Sequence, residues 1–286
     1  MKQYFNLLRI SHYIKNFLVL TPLLCSGQFF ATHKLLHGML GFLSFCALSS
    51  AIYCINDIRD ENKDRLHPVK RTRPIASGAI SKKEAWIITL LMLIIAGGLN
   101  SLIFQTGSTV LLIIYFVLNL SYSYGLKNIP ILDVAILVSG FLIRILYGAI
   151  ITDITISNWL YLTVLSMAFY CALGKRRNEL QHCKDNQTRF VLQCYPEKFL
   201  DKSMNMCLTL ANTFYALWSM SDETTVLYHN RYLVLTVPIV LLITLKYSMS
   251  IEGTSDGDPV NVFLHDKGLI ILCLLYLLMM FSILYF

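Results

Sequence analysis

Long uninterrupted apolar runs dominate this sequence of 286 residues, and each is close to the length that an α-helix needs to cross about 30 Å of hydrocarbon. The residues do not alternate between apolar and polar, as they do in the strands of a transmembrane barrel. The sequence therefore predicts an all-α polytopic membrane protein with nine transmembrane helices. The nine predicted spans are residues 13–31, 36–56, 85–104, 108–124, 131–151, 158–174, 203–220, 231–250 and 267–285.

The composition excludes several other classes of protein. Hydrophobic residues make up 56% of the chain and charged residues only 14%, too few to cover the surface of a soluble enzyme or a disordered regulator. The eight cysteines lack paired CxxC spacing and are predicted to be core residues, not disulfides or zinc ligands. The formal charge of +7 has no soluble basic domain to carry it, so no nucleic-acid partner is predicted. Because no linker divides the chain, residues 1–286 are predicted to form one domain. The sequence does not predict the oligomeric state.

The distribution of basic residues predicts the orientation. With the N-terminus in the cytoplasm, every one of the 24 lysines and arginines except Lys34, Arg144 and Arg231 falls on the cytoplasmic side. The two long polar connections, 57–84 and 175–202, then also face the cytoplasm, and the C-terminus lies outside. The predicted location is the inner cell membrane.

The second apolar run leads into oxygen-bearing side chains that share one helical face. If the helix continues past the membrane, Asn56, Asp60 and Asp64 recur at i, i+4 and i+8, with Asp57 slightly to one side. Carboxylates this close repel one another, and a bound cation relieves the repulsion. Because oxygen ligands favour Mg²⁺, these four residues are predicted to bind it, and the three aspartates to be catalytic.

Three basic residues, Lys70, Arg71 and Arg73, follow the acidic face along the chain. Mg²⁺ commonly completes its coordination shell with phosphate oxygens, and these side chains are able to bind the same phosphates. The combination predicts a binding site for a diphosphate substrate. The alternative is a solvated cytoplasmic loop of mixed charge.

A second polar segment, which follows the predicted span 158–174, is cationic where the first is anionic. Lys175 and Glu179 share a helical face and Arg176 lies beside them, so that Glu179 is able to orient Lys175. All three are predicted to belong to a substrate-binding site for phosphate groups. The alternative is that the basic residues only anchor the cytoplasmic end of the span.

Three further residues are candidates for substrate binding. Tyr122 and Lys127 flank a short turn at head-group level, where they would bind phosphate or form an interfacial belt. Arg144 lies within the fifth predicted span, and an intramembrane arginine indicates either a functional site or a buried ion pair. Gly140 and Gly148, one turn to either side of Arg144, would allow another segment to approach closely.

Together these motifs resemble the UbiA superfamily of intramembrane prenyltransferases. Asn56-Asp57-x-x-Asp60-x-x-x-Asp64 is similar to that family's first aspartate-rich motif. Where an aromatic prenyltransferase typically has a second such motif, this chain has Gly174-Lys175-Arg176-Arg177-Asn178-Glu179. In this departure the sequence resembles one branch of the superfamily, the decaprenyl-phosphate phosphoribosyltransferases. The other sequences that resemble this branch are His67-Pro68-x-Lys70-Arg71-x-Arg73-Pro74, Leu126-Lys127-x-x-Pro130, Ser139-Gly140-Phe141-x-x-Arg144 and Gly257-Asp258-Pro259.

The resemblance covers nearly the whole chain and implies both a fold and a reaction. It implies a UbiA-like helical bundle that opens laterally to lipid. It also implies Mg²⁺-dependent transfer of 5-phosphoribose from phosphoribosyl pyrophosphate to a polyprenyl phosphate such as decaprenyl phosphate, with release of pyrophosphate. A cationic second segment suits a reaction in which both substrates are phosphorylated.

Two alternative functions stay open. A UbiA-type enzyme would use the same metal site to move a prenyl group from a prenyl diphosphate to an aromatic acceptor. A transporter of an anionic solute is the alternative from another class, because charged residues inside spans also mark transport pathways. The sequence predicts neither the chain length of the acceptor nor the downstream pathway.

Overall fold

The computed structural model describes residues 2–66, 70–182, 190–228, 232–252 and 259–285. These residues form α-helices and short 3-10 helices and contain no strand, which confirms the predicted all-α class. The twelve α-helices are α1 Lys2–Leu8, α2 Thr21–Leu24, α3 Thr32–Leu66, α4 Lys82–Ser101, α5 Thr106–Ser123, α6 Leu132–Thr152, α7 Asn158–His182, α8 Glu197–Met220, α9 Asp222–Tyr228, α10 Val237–Glu252, α11 Pro259–His265 and α12 Lys267–Tyr285. The 3-10 helices are Ile10–Leu20, Lys70–Thr72, Leu126–Asn128, Phe190–Cys194 and Tyr232–Thr236.

Six helical segments in the described parts of the chain are long and apolar enough to cross a membrane. The predicted number of nine spans and the lateral opening stay predictions. The six segments are Thr32–Leu66, Lys82–Ser101, Thr106–Ser123, Leu132–Thr152, Tyr232–Glu252 and Lys267–Tyr285.

The chain divides into two compact units, and α6 contributes to both. The first unit contains Met1–Tyr124 and Ile143–Ile154, and the second contains Gly125–Leu142 and Thr155–Phe286. Each unit has its own buried core, so the packing in each is governed by its own apolar side chains.

The first unit is built around α3. In its membrane half, Phe45 and Leu48 of α3 are buried with Tyr115 of α5 and Tyr147 of α6. A smaller core, formed by Leu7, Cys54, Ile75, Ile80 and Ala85, lies beside the polar end of α3. This small core fixes the connection between α3 and α4, which carries the predicted phosphate-binding arginines.

The first predicted span, residues 13–31, does not form a continuous α-helix. Ile10–Leu20 is a 3-10 helix, and α2 that follows it has only four residues with Pro22 in its first turn. Polar contacts with α3 accompany this geometry: Tyr13 and Ser50 share a hydrogen bond of 2.8 Å, and Asn16 donates to the Cys46 sulfur at 3.2 Å. The length and hydropathy of an apolar run do not reveal such side-chain contacts. The prediction of a continuous α-helix over residues 13–31 was therefore wrong.

The predicted close approach at Gly148 is confirmed, and the segment that approaches is the N-terminal 3-10 helix. A Cβ atom at position 148 would overlap the backbone carbonyl of Val19. Glycine therefore allows α6 to contact the backbone of this helix directly.

The second unit is a bundle in which α7 packs against α8, and α10 packs against both α8 and α12. Its core contains Tyr170 of α7, Leu200 of α8, Ile251 of α10 and Leu269 of α12. The beginning of α6 joins this core through Val134 and Val138. The polar residues at the start of α6 are thereby held against α7.

Candidate functional site

The aspartate-rich motif lies on the last three turns of α3. This helix extends ten residues beyond the predicted span that ends at residue 56, so the predicted continuation is confirmed. Asp57 and Asp64 are buried and Asp60 is partly exposed. Two buried carboxylates in one unit need compensating charge, because water cannot solvate them.

Two arginines supply that charge. The Nη1 atom of Arg73 donates to Asp57 Oδ1 at 3.2 Å and to Asp64 Oδ2 at 2.7 Å, so the two carboxylates converge on one nitrogen. Arg9 Nη2 donates to Asp57 Oδ1 at 2.6 Å, and its guanidinium lies 4.6 Å from the centre of the Tyr53 ring. The two carboxylates of the acidic face therefore lie together and are bound by two arginine side chains.

Arg9 was not predicted as a site residue. Its only sequence signal is a positive charge ahead of an apolar run, which also describes an ordinary membrane anchor. Its backbone adopts the left-handed conformation, with φ of 50° and ψ of 51°. This region is unfavourable for residues other than glycine, and such strain is frequent at functional sites.

The connection that carries Arg73 is held by its own hydrogen bonds. Arg73 N donates to Lys70 O at 3.0 Å, and Ser77 N donates back to Arg73 O at 2.8 Å. Ile80 N donates to Pro74 O at 3.0 Å, while the Ile80 side chain is buried in the small core. Because both sides of Arg73 are fixed, its guanidinium starts from a defined position above the acidic face.

A separate ion cluster lies beside the acidic face on α3. Glu61 is buried and pairs with Arg65 Nη2 at 2.7 Å and with Lys82 at the start of α4. Asn56, one residue before Asp57, contacts the Ser123 hydroxyl through its side-chain oxygen.

The donor set fits a hard divalent cation. No group of three His, Cys, Asp or Glu side chains stands close enough to hold a metal ion anywhere in the described ranges. Mg²⁺, however, commonly takes one or two carboxylates and obtains its other ligands from water and substrate phosphates. Asp57 and Asp64 already approach a common point, and both offer carboxylate oxygens there. The chemistry of these residues is therefore compatible with magnesium.

Arg144 lies in the core of the first unit. It donates from Nε to Asn16 Oδ1 and from Nη2 to the Tyr115 hydroxyl, each at 2.8 Å, and lies over the Phe45 ring. Through Asn16 it fastens the N-terminal 3-10 helix to α6. Its predicted contact with substrate stays a prediction.

In the second unit, Arg176 is enclosed by two carboxylates. Its Nε donates to Asp133 Oδ2 at 2.6 Å and its Nη1 donates to Glu179 Oε2 at 2.8 Å, and only 1% of its side chain is exposed. The cluster of Arg176 and Glu179 predicted from sequence is therefore present, with Asp133 as an additional member. A contact between Arg176 and a substrate phosphate stays a prediction and would require a carboxylate to give way.

Tyr195 completes this second cluster. Its hydroxyl donates to Asp133 Oδ1 at 2.6 Å and accepts from the backbone N–H of Ile131 at 2.5 Å. Burial, together with the hydrogen bond to Asp133, raises the pKa of Tyr195 to about 12, so the hydroxyl stays protonated and able to donate. Neither Asp133 nor Tyr195 was predicted as a site residue. The only sequence signal was an aspartate, Asp133, at the start of an apolar run.

The other predicted substrate-binding residues are partly or fully exposed. Three of them lie on short 3-10 helices, one lies next to the last residue of α5, and one lies in the last third of α7. These residues are Lys70, Arg71, Tyr122, Lys127 and Lys175. Four motif residues, His67, Pro68, Gly257 and Asp258, lie outside the described residues.

The structure combines helices that are able to cross a membrane with buried carboxylates and arginines at the polar end of α3. The description "UbiA prenyltransferase family" matches residues 17–265 of the chain. The chain therefore belongs to the UbiA prenyltransferase family and is an integral membrane protein.

Several proteins and solved structures are similar to this chain. A decaprenyl-phosphate phosphoribosyltransferase of Mycolicibacterium smegmatis is 33% identical over 282 residues, covering 94% of this chain and 88% of that protein. One from Corynebacterium glutamicum is 32% identical, covering 93% of this chain and 82% of its own length. The structure of an Archaeoglobus fulgidus UbiA homologue bound to GPP and Mg²⁺ superposes with a TM-score of 0.72 at 19% identity, covering 99% of both chains. That structural likeness shows a shared fold.

Proposed function

We propose that this protein transfers 5-phosphoribose from phosphoribosyl pyrophosphate to a polyprenyl phosphate, such as decaprenyl phosphate, and releases pyrophosphate. The observation that carries the proposal is the similarity over nearly the full chain to decaprenyl-phosphate phosphoribosyltransferases. The acidic face of α3, with its convergent arginines, provides the charges that a diphosphate leaving group requires.

The metal in this proposal is Mg²⁺, held by Asn56, Asp57, Asp60 and Asp64. When bound, it supplies positive charge that draws electron density from the departing pyrophosphate. Two carboxylates that converge on one point, the all-oxygen donor set and the Mg²⁺ in the solved A. fulgidus homologue support this choice.

The basic residues bind and orient the substrates. Lys70, Arg71 and Arg73 bind oxygens of the pyrophosphate, so that its negative charge is stabilised as the bond to the ribose C1 atom breaks. An oxygen of the lipid phosphate forms the new bond to C1. This phosphate is already ionised at neutral pH, so the reaction needs orientation more than a general base.

The remaining predicted residues are proposed to bind the other phosphate groups. Tyr122, Lys127 and Lys175 bind the 5-phosphate of the ribose or the lipid phosphate. Arg144 and Arg176, which also hold Asn16 and Glu179, are proposed to bind the same phosphate groups. The proposal places the reaction at the cytoplasmic side of the inner membrane, where the basic connections are predicted to lie.

Purified full-length protein in detergent tests the proposal. With labelled phosphoribosyl pyrophosphate, decaprenyl phosphate and Mg²⁺, we expect a labelled lipid whose mass corresponds to decaprenyl phosphate plus phosphoribose, together with released pyrophosphate. A parallel reaction receives a prenyl diphosphate and an aromatic acceptor. Prenylation of the acceptor without formation of the phosphoribosyl lipid would contradict the proposal in favour of an aromatic prenyltransferase. Absence of any turnover in detergent by correctly folded protein would favour a transporter.

A further inference from the structure

Arg73 occupies the point at which two predicted metal ligands meet. One nitrogen atom of its guanidinium, Nη1, bonds to both Asp57 and Asp64. A divalent cation shared by these carboxylates would need the same oxygens. The side chain and the cation are therefore competitors for one position.

The surroundings favour Arg73 as the group that leaves, with the incoming cation taking its place at Asp64. The Arg73 side chain is 29% exposed, whereas those of Asp57 and Asp64 are 2% and 6% exposed, so the arginine is the partner with access to solvent. Asp57 keeps a second cation in Arg9, at 2.6 Å. The backbone around Arg73 is fixed by Ser77, so the guanidinium is able to move while its Cα atom stays in place.

We propose that Arg73 is an internal counter-ion that occupies the acidic face when the divalent cation is absent and is displaced when the cation binds. The displaced guanidinium, still attached to the fixed Arg73 backbone by its own side chain, becomes available to the pyrophosphate oxygens. Cation binding thus prepares the phosphate-binding residue, and the order is metal before diphosphate. This inference rests on the metal site of the proposed function.

Mg²⁺-dependent thermal unfolding without substrates tests the competition. Purified full-length protein is first stripped with EDTA, and unfolding is followed by fluorescence of Trp86, Trp159 and Trp218 over a MgCl₂ titration. A ligand that binds the folded state raises the unfolding temperature. For Arg73→Gln we expect a lower unfolding temperature in EDTA and half-maximal stabilisation at a Mg²⁺ concentration lower than wild type by about tenfold.

Arg73→Lys provides a second variant if Arg73→Gln fails to fold. Lysine keeps the charge but lacks the planar fork of arginine, so its half-maximal Mg²⁺ concentration should also lie below that of wild type. Arg65→Gln is the matched control, because Arg65 pairs with Glu61, not with Asp57 or Asp64, among the described residues and should leave this concentration unchanged. Equal half-maximal concentrations in wild type and the Arg73 variants would overturn the counter-ion role.

The same titration separates failure of this inference from failure of the metal site. If Mg²⁺ stabilises wild type and the Arg73 variants equally, and Asp60→Ala removes that stabilisation, the metal site stands and the counter-ion role is wrong. If Mg²⁺ stabilises none of these proteins, the metal site is wrong, and the inference falls with it.

Discussion

At the scale of residues, the two charged clusters differ in how their carboxylates are compensated. Asp57 and Asp64 are compensated by arginines whose side chains are partly exposed, whereas Asp133 is compensated by the fully buried Arg176. A partly exposed arginine stays solvated when another cation takes its place, while removal of one member of a fully buried pair leaves a charge without solvation. The first cluster is therefore suited to ligand exchange and the second to rigid support.

Tyr195 provides the clearest test of that support. In Tyr195→Phe, Asp133 loses a donor and the Ile131 N–H loses its acceptor, and both groups are buried or partly buried. Ile131 is also strained, with φ of 68°, so this hydrogen bond stabilises an unfavourable conformation. We expect Tyr195→Phe to destabilise the protein by about 2 kcal/mol.

Tyr161→Phe is the matched control for this variant. Tyr161 is a partly buried tyrosine of α7 in the same unit, and its hydroxyl has no hydrogen-bond partner among the described residues. Thermal unfolding in detergent measures both variants. Equal unfolding temperatures for the two would contradict the supporting role of Tyr195.

At the scale of elements, the N-terminal segment connects the membrane core to the acidic face. The 3-10 helix Ile10–Leu20 is held by Asn16 and by the close contact at Gly148, and Arg9, immediately before it, bonds to Asp57. A displacement of this helix would move Arg9. Packing at Gly148 therefore affects the site through a rigid element.

Gly148→Ala tests this connection. The added methyl group would overlap the Val19 carbonyl, and overpacking against backbone costs roughly 3 kcal/mol. We expect a lower unfolding temperature and reduced phosphoribosyl transfer. Gly98→Ala is the control, since a Cβ atom at this position in α4 meets nothing within 4 Å and the change should stay within about 1 kcal/mol. Equal stability and activity of the two variants would show that the contact at Gly148 has no such role.

The elements also show what sequence reasoning reached and what it missed. The 3.6-residue spacing of Asp57, Asp60 and Asp64 was sufficient to place them at one end of α3, because a helix maps local spacing onto a face. The contacts of Asp57 with Arg9 and of Asp133 with Arg176 join residues 48 and 43 positions apart. Such pairs depend on tertiary packing and leave no periodic trace in a single sequence.

At the scale of the whole molecule, this UbiA-family chain combines an apolar scaffold with separate groups of charged residues. An apolar scaffold contains helices that are able to cross a membrane, and the charges proposed to be functional, other than Arg144, lie towards helix ends and in the connections next to them. Residues 174–179 are largely basic, where the resemblance implies aspartates in an aromatic prenyltransferase. That departure favours substrates that both carry phosphate.

The most direct test of the central claim measures transfer of labelled phosphoribose by Asp60→Ala and Asn62→Ala, in Mg²⁺ and in EDTA. Asn62 is exposed on the same turn of α3, so its variant controls for the effect of shortening a side chain there. We predict that EDTA abolishes transfer by wild type, that Asp60→Ala lowers it at least about a hundredfold in Mg²⁺, and that Asn62→Ala stays close to wild type. Near-normal transfer by folded Asp60→Ala, or full transfer by wild type in EDTA, would contradict the assignment of the acidic face as the metal site.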